Sequence, residues 1–338
     1  MTFSGDDWQS MSYDDWGDLE QVRHRLARGE DPNTLPDGEP PLVRAAAAGN
    51  PEVVAELVRL VDDVDARGEE WPFTPLLAAV FEKHAAAARV LAEAGADPWR
   101  KVLGSWSPGR LSLAGPAPDL FEVPGWEQGL TWLERTAAAE ARRINVALAS
   151  YRPDDGTALA CVAGIDAAEA ARRLRAESLT DTGPGSRLAA FLESDYDRPD
   201  EELELTVAVT DVPGGCVVIQ QWGHLPADDA VLVPLTKGTF GYGYYLNPKG
   251  GEHGMVMRDG VFVRQEEVGD WCFSLELPDE DDDEGYEDHE ALAQVDLDLF
   301  NHYVFDHSAA YACAMAGLRP ADARAFTGAP DRWLRLTF

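Results

Sequence analysis

No apolar run in this 338-residue chain approaches the roughly 20 residues that a bilayer-crossing helix needs. A membrane span is therefore not expected. The opening Met-Thr-Phe-Ser-Gly-Asp-Asp has neither a basic leader nor an apolar core, so no secretion signal is expected and the location reads as cytoplasmic. Cysteine is scarce: Cys161, Cys216, Cys272 and Cys313 lie far apart and form no Cys-x-x-Cys pair, the pattern of small buried hydrophobes in a reducing compartment. Basic charge is scarcest. Against 61 Asp and Glu stand 28 Lys and Arg, for a net charge of −33. That argues against direct contact with nucleic acid or an anionic membrane, both of which need basic surface. It permits a basic protein partner, whose approach the long-range field would speed, and is equally consistent with plain solubility. Arg greatly outnumbers Lys and Ala is abundant, a hint of a GC-rich bacterial coding sequence.

Catalytic signatures are missing too. There is no Gly-x-x-x-x-Gly-Lys-Ser/Thr loop, and Gly241-Tyr242-Gly243 inside a strand is no phosphate cradle. Ser186 lacks the Gly-x-Ser-x-Gly elbow and reads as a helix cap. His302 and His307 are five residues apart, whereas a helical zinc pair is spaced by four. His224 and His253 have no Cys or ordered acid nearby. No catalytic, metal or cofactor residue is assigned. The acidic run 279–290 reads as a solvated loop, with a tether for a basic partner or a weak divalent-cation site as the minor readings.

What is present is a phrase spoken three times. Between residues 20 and 98 the chain repeats an apolar helix followed by Gly and Asp, with Asp31, Asp65 and Asp97 about 33 residues apart, the spacing of stacked helix pairs. Between the copies stand Pro40-Pro41-Leu42-Val43-Arg44-Ala45-Ala46 and Thr74-Pro75-Leu76-Leu77-Ala78-Ala79. Pro41 and Pro75 suit a first helical position, and Thr74 can cap its helix. The alanines let neighbouring helices approach, and Gly49 and Gly95 suit left-handed helix ends. These residues resemble the ankyrin repeat over roughly 15–125. The last unit begins near 110–113 and meets Pro116 and Pro118, which cannot continue a helix interior.

The second half reads as α+β. A strand at 158–162 leads into a helix at 167–176 capped by Asp166 with Glu169. Strands follow at 204–209 and 216–220 across Val212-Pro213-Gly214-Gly215, then at 231–235, 239–246, 255–258 and 261–266, the last two joined across Asp259-Gly260. A strand at 271–277, helical spacing over 291–318 and a short helix at 320–325 complete it. Strands bracketed by helices imply a mostly antiparallel sheet. The motifs Cys161-Val162, Gly164-Ile165-Asp166, Trp222-Gly223, Leu235, Gly238, Phe240 and Arg258-Asp259-Gly260-Val261 loosely resemble an uncharacterised bacterial domain family of unknown function, over about 144–277. The expected organisation is thus an N-terminal tail or cap (1–14), an all-α repeat solenoid of three to four units (15–125), a capping or linking helix (126–143) and an α+β domain (144–338).

The ankyrin resemblance implies partner contact through hairpin fingers and inner helices. It places Glu70, Trp71 and Phe73 on one finger, Phe81 and Glu82 on the inner helix, and Trp99, Arg100, Lys101 and Trp106 on the next finger. Aromatics and Arg carry most interface energy. Two readings of these rings stand: they meet a partner protein, or they pack against the second domain and seal the stack internally. The expected function is non-enzymatic protein–protein interaction, one version being an acidic antidote that covers a basic protein. The rivals are an enzyme or small-molecule sensor, with a site near Trp222, Tyr242, Tyr244 and His253, and a self-assembling scaffold.

Overall fold

The computed structural model describes residues 7–68, 72–179, 204–249, 251–268 and 289–337. They form two compact units, 7–138 with 289–304 and 139–268 with 305–337. The expected strand at 271–277, Glu70, Trp71, Ser186, Cys272 and the acidic run at 279–288 lie outside the described residues.

In the first unit the helices are α1 (Leu19–Arg28), α2 (Pro41–Ala48), α3 (Pro51–Leu57), α4 (Pro75–Phe81), α5 (Ala85–Glu93) and α6 (Pro108–Ser112). Proline opens four of them at the first turn, where the missing N–H is harmless. Side chains just before the helices take the orphan donors: Asp18 from Glu20 N–H at 2.8 Å, Asn50 from Glu52 at 2.9 Å, Thr74 from Leu77 at 3.2 Å and Ser107 from Arg110 at 3.2 Å. The last unit therefore opens at Ser107-Pro108, a few residues before the 110–113 expected. Small Ala45, Ala46, Ala78 and Ala79 are buried between Leu42, Val54, Leu57, Leu76, Leu77, Leu91 and Leu111.

The loops refine the repeat phase. Asp31, Asp63 and Asp97 each accept the N–H two residues on, at 2.9 Å in every case. Asp63, not Asp65, is the geometric counterpart of Asp31 and Asp97. Asp65 occupies the place of Asn33, and both tie one loop to the next. The Asn33 side-chain oxygen accepts the Asp62 N–H at 2.8 Å, and the Asp65 carboxylate lies 3.3 Å from the Arg100 guanidinium.

Gly29 and Gly49 both end helices with φ in the left-handed region, 97° and 81°. They differ in surroundings: a Cβ on Gly29 meets nothing, whereas one on Gly49 would sit 2.3 Å from Cγ of His84. Gly29→Ala should cost about 1 kcal/mol from backbone strain alone. Gly49→Ala should cost about 3 kcal/mol, because overpacking adds to it. Urea titration of the two variants checks the ordering.

The described start of the chain is packed from Asp7 onward. Trp8 and Trp16 stack at 5.4 Å, each 2% exposed, and the Trp8 indole donates to the Asp31 carbonyl at 3.0 Å. Residues 14–17 pack against both α1 and α2, where a full repeat would place a helix.

The division between units falls at Ala138, inside α7 (Trp132–Ala147). The second unit is an eight-stranded sheet: β1 (Ala158–Ala163), β2 (Glu177–Ser178), β3 (Thr206–Val212), β4 (Gly215–Gln220), β5 (Phe240–Asn247), β6 (Gly251–Arg258), β7 (Val261–Val268) and β8 (Arg332–Arg335). The order is β2-β8-β3-β4-β1-β5-β6-β7, with every pairing antiparallel. Two turns match their residues. Pro213-Gly214 closes β3–β4, and Asp259 and Gly260, both at positive φ, make the tight β6–β7 connection.

Helices cover both faces. On one, α8 (Ala167–Leu174) and α9 (Asp229–Leu235) bury Ala160, Val162, Val207, Val209 and Val218. On the other, α11 (Ser308–Met315), α12 (Arg324–Thr327) and the end of α7 cover Leu159, Ile219, Tyr242 and Tyr244. Along β5 the alternation expected of Phe240, Tyr242 and Tyr244 holds. Gly241 and Gly243 point the other way and let α9 approach: their Cβ atoms would lie 2.5 Å from Thr236 Cγ2 and 2.6 Å from Leu232 Cδ1.

One strand expectation needs correction, and two features were not foreseen. Residues 231–235 are helix, not strand: Asp228 caps it by accepting the Ala230 N–H at 2.8 Å, and Val231, Leu232 and Leu235 share a helical face. Strands β2 and β8 went unseen because they are short and show no alternation: β2 is two polar residues, and β8 carries Trp333 and Leu334 side by side between two arginines. The tail over 291–318 is two helices, α10 (His289–Val304) and α11, and α10 groups with the repeats.

Candidate protein-recognition surface

The finger residues of the first unit divide sharply by burial. Trp106 is 2% exposed, held from three sides. The ring stacks on Phe300 of α10 at 5.4 Å, the Arg110 guanidinium lies 4.2 Å over it, and its indole N–H donates to the Asp296 carbonyl at 2.9 Å. Arg110 is fixed in turn by Glu134, which it grips with two bonds of 2.7 and 2.8 Å. Glu134 also accepts the Thr131 N–H at 2.7 Å while the Thr131 hydroxyl accepts the Glu134 N–H at 3.2 Å, a reciprocal cap on α7. Desolvation would raise the Glu134 pKa; the bonds from Thr131 and Arg110 outweigh it and hold it below the ordinary value.

Phe73, at the edge of being buried, meets Phe81 edge-on at 5.5 Å. Phe81 stacks on His302 of α10 at 5.7 Å and lies 6.2 Å from Tyr303. Phe81 and Trp106 thus lie against α10 within their own unit, and Phe73 lies against Phe81. The physical reason is apolar area: exposed rings need cover, and α10 supplies Leu299, Phe300, Tyr303 and Val304, all buried. Trp99 is half-buried, its ring pressed against Gly109, whose Cβ would lie 3.0 Å from it. Arg100 pairs with Asp65, while Glu82 and Lys101 stay exposed. Sequence reasoning missed α10 as part of this surface, although the apolar spacing 299, 300, 303, 304 was available.

The rival set does not converge. Tyr244 faces the α11 side of the sheet, but His253 is paired with Tyr245, one residue on, and strand alternation sends both to the opposite face. Trp222 is 40% exposed beside Gly156. Tyr242 and Tyr311 both donate to Glu266 Oε2, at 2.9 and 3.1 Å, and Ser308 donates to Glu252. Burial pushes the Cys216 thiol up to about 12; Cys161 and Cys313 are buried with their sulfurs 3.9 Å apart. Among the described residues, no group of three or more His, Cys, Asp and Glu could hold a metal ion, and no helix is long and apolar enough to cross a membrane.

His302 and His307 are structural here. Burial lowers both to about 4, with Lys83 adding to the effect at His302 and Arg152 at His307. An unfolded chain takes up protons near pH 6.5 and the native one only near 4, so stability is full above 6.5 and falls between 6.5 and 4. Each histidine should account for about 2 kcal/mol of that loss, reduced from the full linkage value because both side chains are only partly buried. His302→Gln and His307→Gln should each flatten the pH profile of urea midpoints over that window.

None of the characterised proteins compared matches the chain. The family model for ankyrin repeats, in three copies, matches residues 11–102, which spans α1 to α5 and the loops with the recurring aspartates. Ankyrin repeats are protein–protein interaction modules, and residues 11–102 of this chain belong to that family.

Proposed function

We propose that this chain is an acidic recognition protein whose repeat unit holds a basic protein partner, in the manner of an antidote that covers its target's working surface. One observation carries the reading: residues 7–138 have 23 Asp and Glu against 12 Lys and Arg, and the loop carboxylates Asp31, Asp62, Asp63 and Asp97 are exposed. Clustered exposed charge of one sign steers an oppositely charged partner and is screened by salt. Glu82 at the end of the inner helix and Lys101 on the finger remain open for contact; Glu70 and Trp71 belong to the same expected surface.

Affinity capture from the native host with the full chain as bait, followed by mass spectrometry, tests this. A stoichiometric partner of high isoelectric point should be recovered at low salt and released at about 1 M salt, where screening acts over about 3 Å. Asp62→Lys with Asp63→Lys should weaken its retention at least tenfold. No stoichiometric partner at low salt, or one indifferent to salt, would count against the reading. The alternative, an enzyme or small-molecule sensor, is favoured by the carboxylates Glu252 and Glu266, each receiving hydroxyl donors on one face of the sheet. A metabolite panel read by thermal shift on wild type and Glu266→Gln tests it.

A further inference from the structure

Three residues of α10 on one helical stripe meet three prepared places on the repeat unit. Asp296, Phe300 and Tyr303 are spaced i, i+4 and i+7, the pattern of a helix laid in a groove. The Asp296 carboxylate accepts the Ser105 N–H at 2.8 Å, and its carbonyl accepts the Trp106 indole at 2.9 Å. It occupies room that a side chain at Gly104 would fill, since a Cβ there would lie 2.0 Å from Oδ1. Phe300 stacks on Trp106, 15° from parallel. Tyr303 fills the room left at Gly115, where a Cβ would fall 2.0 Å from its hydroxyl oxygen, and the Lys83 ammonium stands 6.0 Å from its ring.

A plug that only shields rings from water needs apolar surface. It does not need a carboxylate read by a main-chain N–H, or two positions kept clear for one polar head each. Those features select a sequence.

The geometry points to a helix-recognition site that α10 fills in cis: the repeat unit reads an amphipathic helix carrying Asp, Phe and Tyr at i, i+4 and i+7, and a partner protein presenting that stripe binds by displacing α10. This deepens the protein-recognition reading of the repeats and does not depend on the partner's net charge. The partner's apparent affinity is lowered by the fraction of chains in which α10 is seated.

The probe is a fluorescein-labelled peptide of residues 289–304, titrated into the full chain by anisotropy. Wild type, its site filled, should bind weakly. Phe300→Ala with Tyr303→Ala, which loosens α10 and leaves the repeats untouched, should bind at least tenfold more tightly. The same peptide carrying Asp296→Ala should lose about tenfold. Unchanged peptide binding by a double variant that keeps wild-type circular dichroism would overturn the proposal. Should that variant fail to fold, hydrogen exchange on wild type decides. Excess peptide should speed exchange of amides 299–304 at least tenfold and leave α4 unchanged; no change at 299–304 would overturn the proposal. A partner held by charge alone would be lost in high salt and indifferent to this peptide, so failure here is separable from failure of the acidic-surface reading.

Discussion

Trp106→Ala is expected to destabilise the repeat unit by about 4 kcal/mol, at the upper end for a large-to-small change. Three losses combine. A ring that is 2% exposed leaves a void beside Phe300. The Arg110 guanidinium, 4.2 Å above the ring, loses its face. The part-buried Asp296 carbonyl loses its second donor while keeping its bond within the helix, a loss of about 1 kcal/mol. Trp106→Phe separates the terms, since it keeps most of the stack and removes only the N–H; about 1–2 kcal/mol is expected. Urea unfolding followed by circular dichroism measures both. A Trp106→Ala loss under 1 kcal/mol would mean that α10 does not depend on this ring.

The second large effect lies in the sheet unit, at Gly243. Gly243→Val is expected to cost about 3 kcal/mol, even though valine is the better strand residue. The reason is the approach of α9: a Cβ at this position already lies 2.6 Å from Leu232 Cδ1, and valine adds two methyls beyond it. Tyr242 and Tyr244 hold the strand from the other face, so it cannot back away. Leu232→Ala alone should cost about 3 kcal/mol through the cavity it leaves. Combined, the two should cost clearly less than their sum, because the new methyls enter the space vacated by Leu232. Additivity within about 0.5 kcal/mol would show that the helix does not press on this strand.

Much of this architecture was legible because it depends on contacts close in sequence. Pro41 and Pro75 mark helix starts by what proline lacks, and Thr74 caps three residues on. Asp259-Gly260 forms its turn from two residues at positive φ. Such signals survive without knowledge of the rest of the chain. The errors came where a local pattern was ambiguous. Val231, Leu232 and Leu235 fit a buried strand as well as a buried helix, and only Asp228 before them decides. The Asp65 phase slipped by two residues because three aspartates crowd one loop, and only their hydrogen bonds tell them apart.

The candidate surface was legible as a set of residues and not as an arrangement. Phe73, Phe81 and Trp106 can be picked out from sequence as rings at finger and inner-helix positions. What lies over Trp106 comes from nearly 200 residues later, and no local rule links Trp106 to Phe300.

From sequence alone followed the acidic charge, the repeat family, the caps and turns, and the alternation that puts Tyr242 and Tyr244 opposite two glycines. Each of these is set by composition or by neighbours a few residues apart. Tertiary structure alone decided that α10 seats on the fingers, that Gly104 and Gly115 make room for it, and that Tyr244 and His253 point apart. Those outcomes rest on shape complementarity between distant segments, which becomes definite only once the backbone brings them within van der Waals reach.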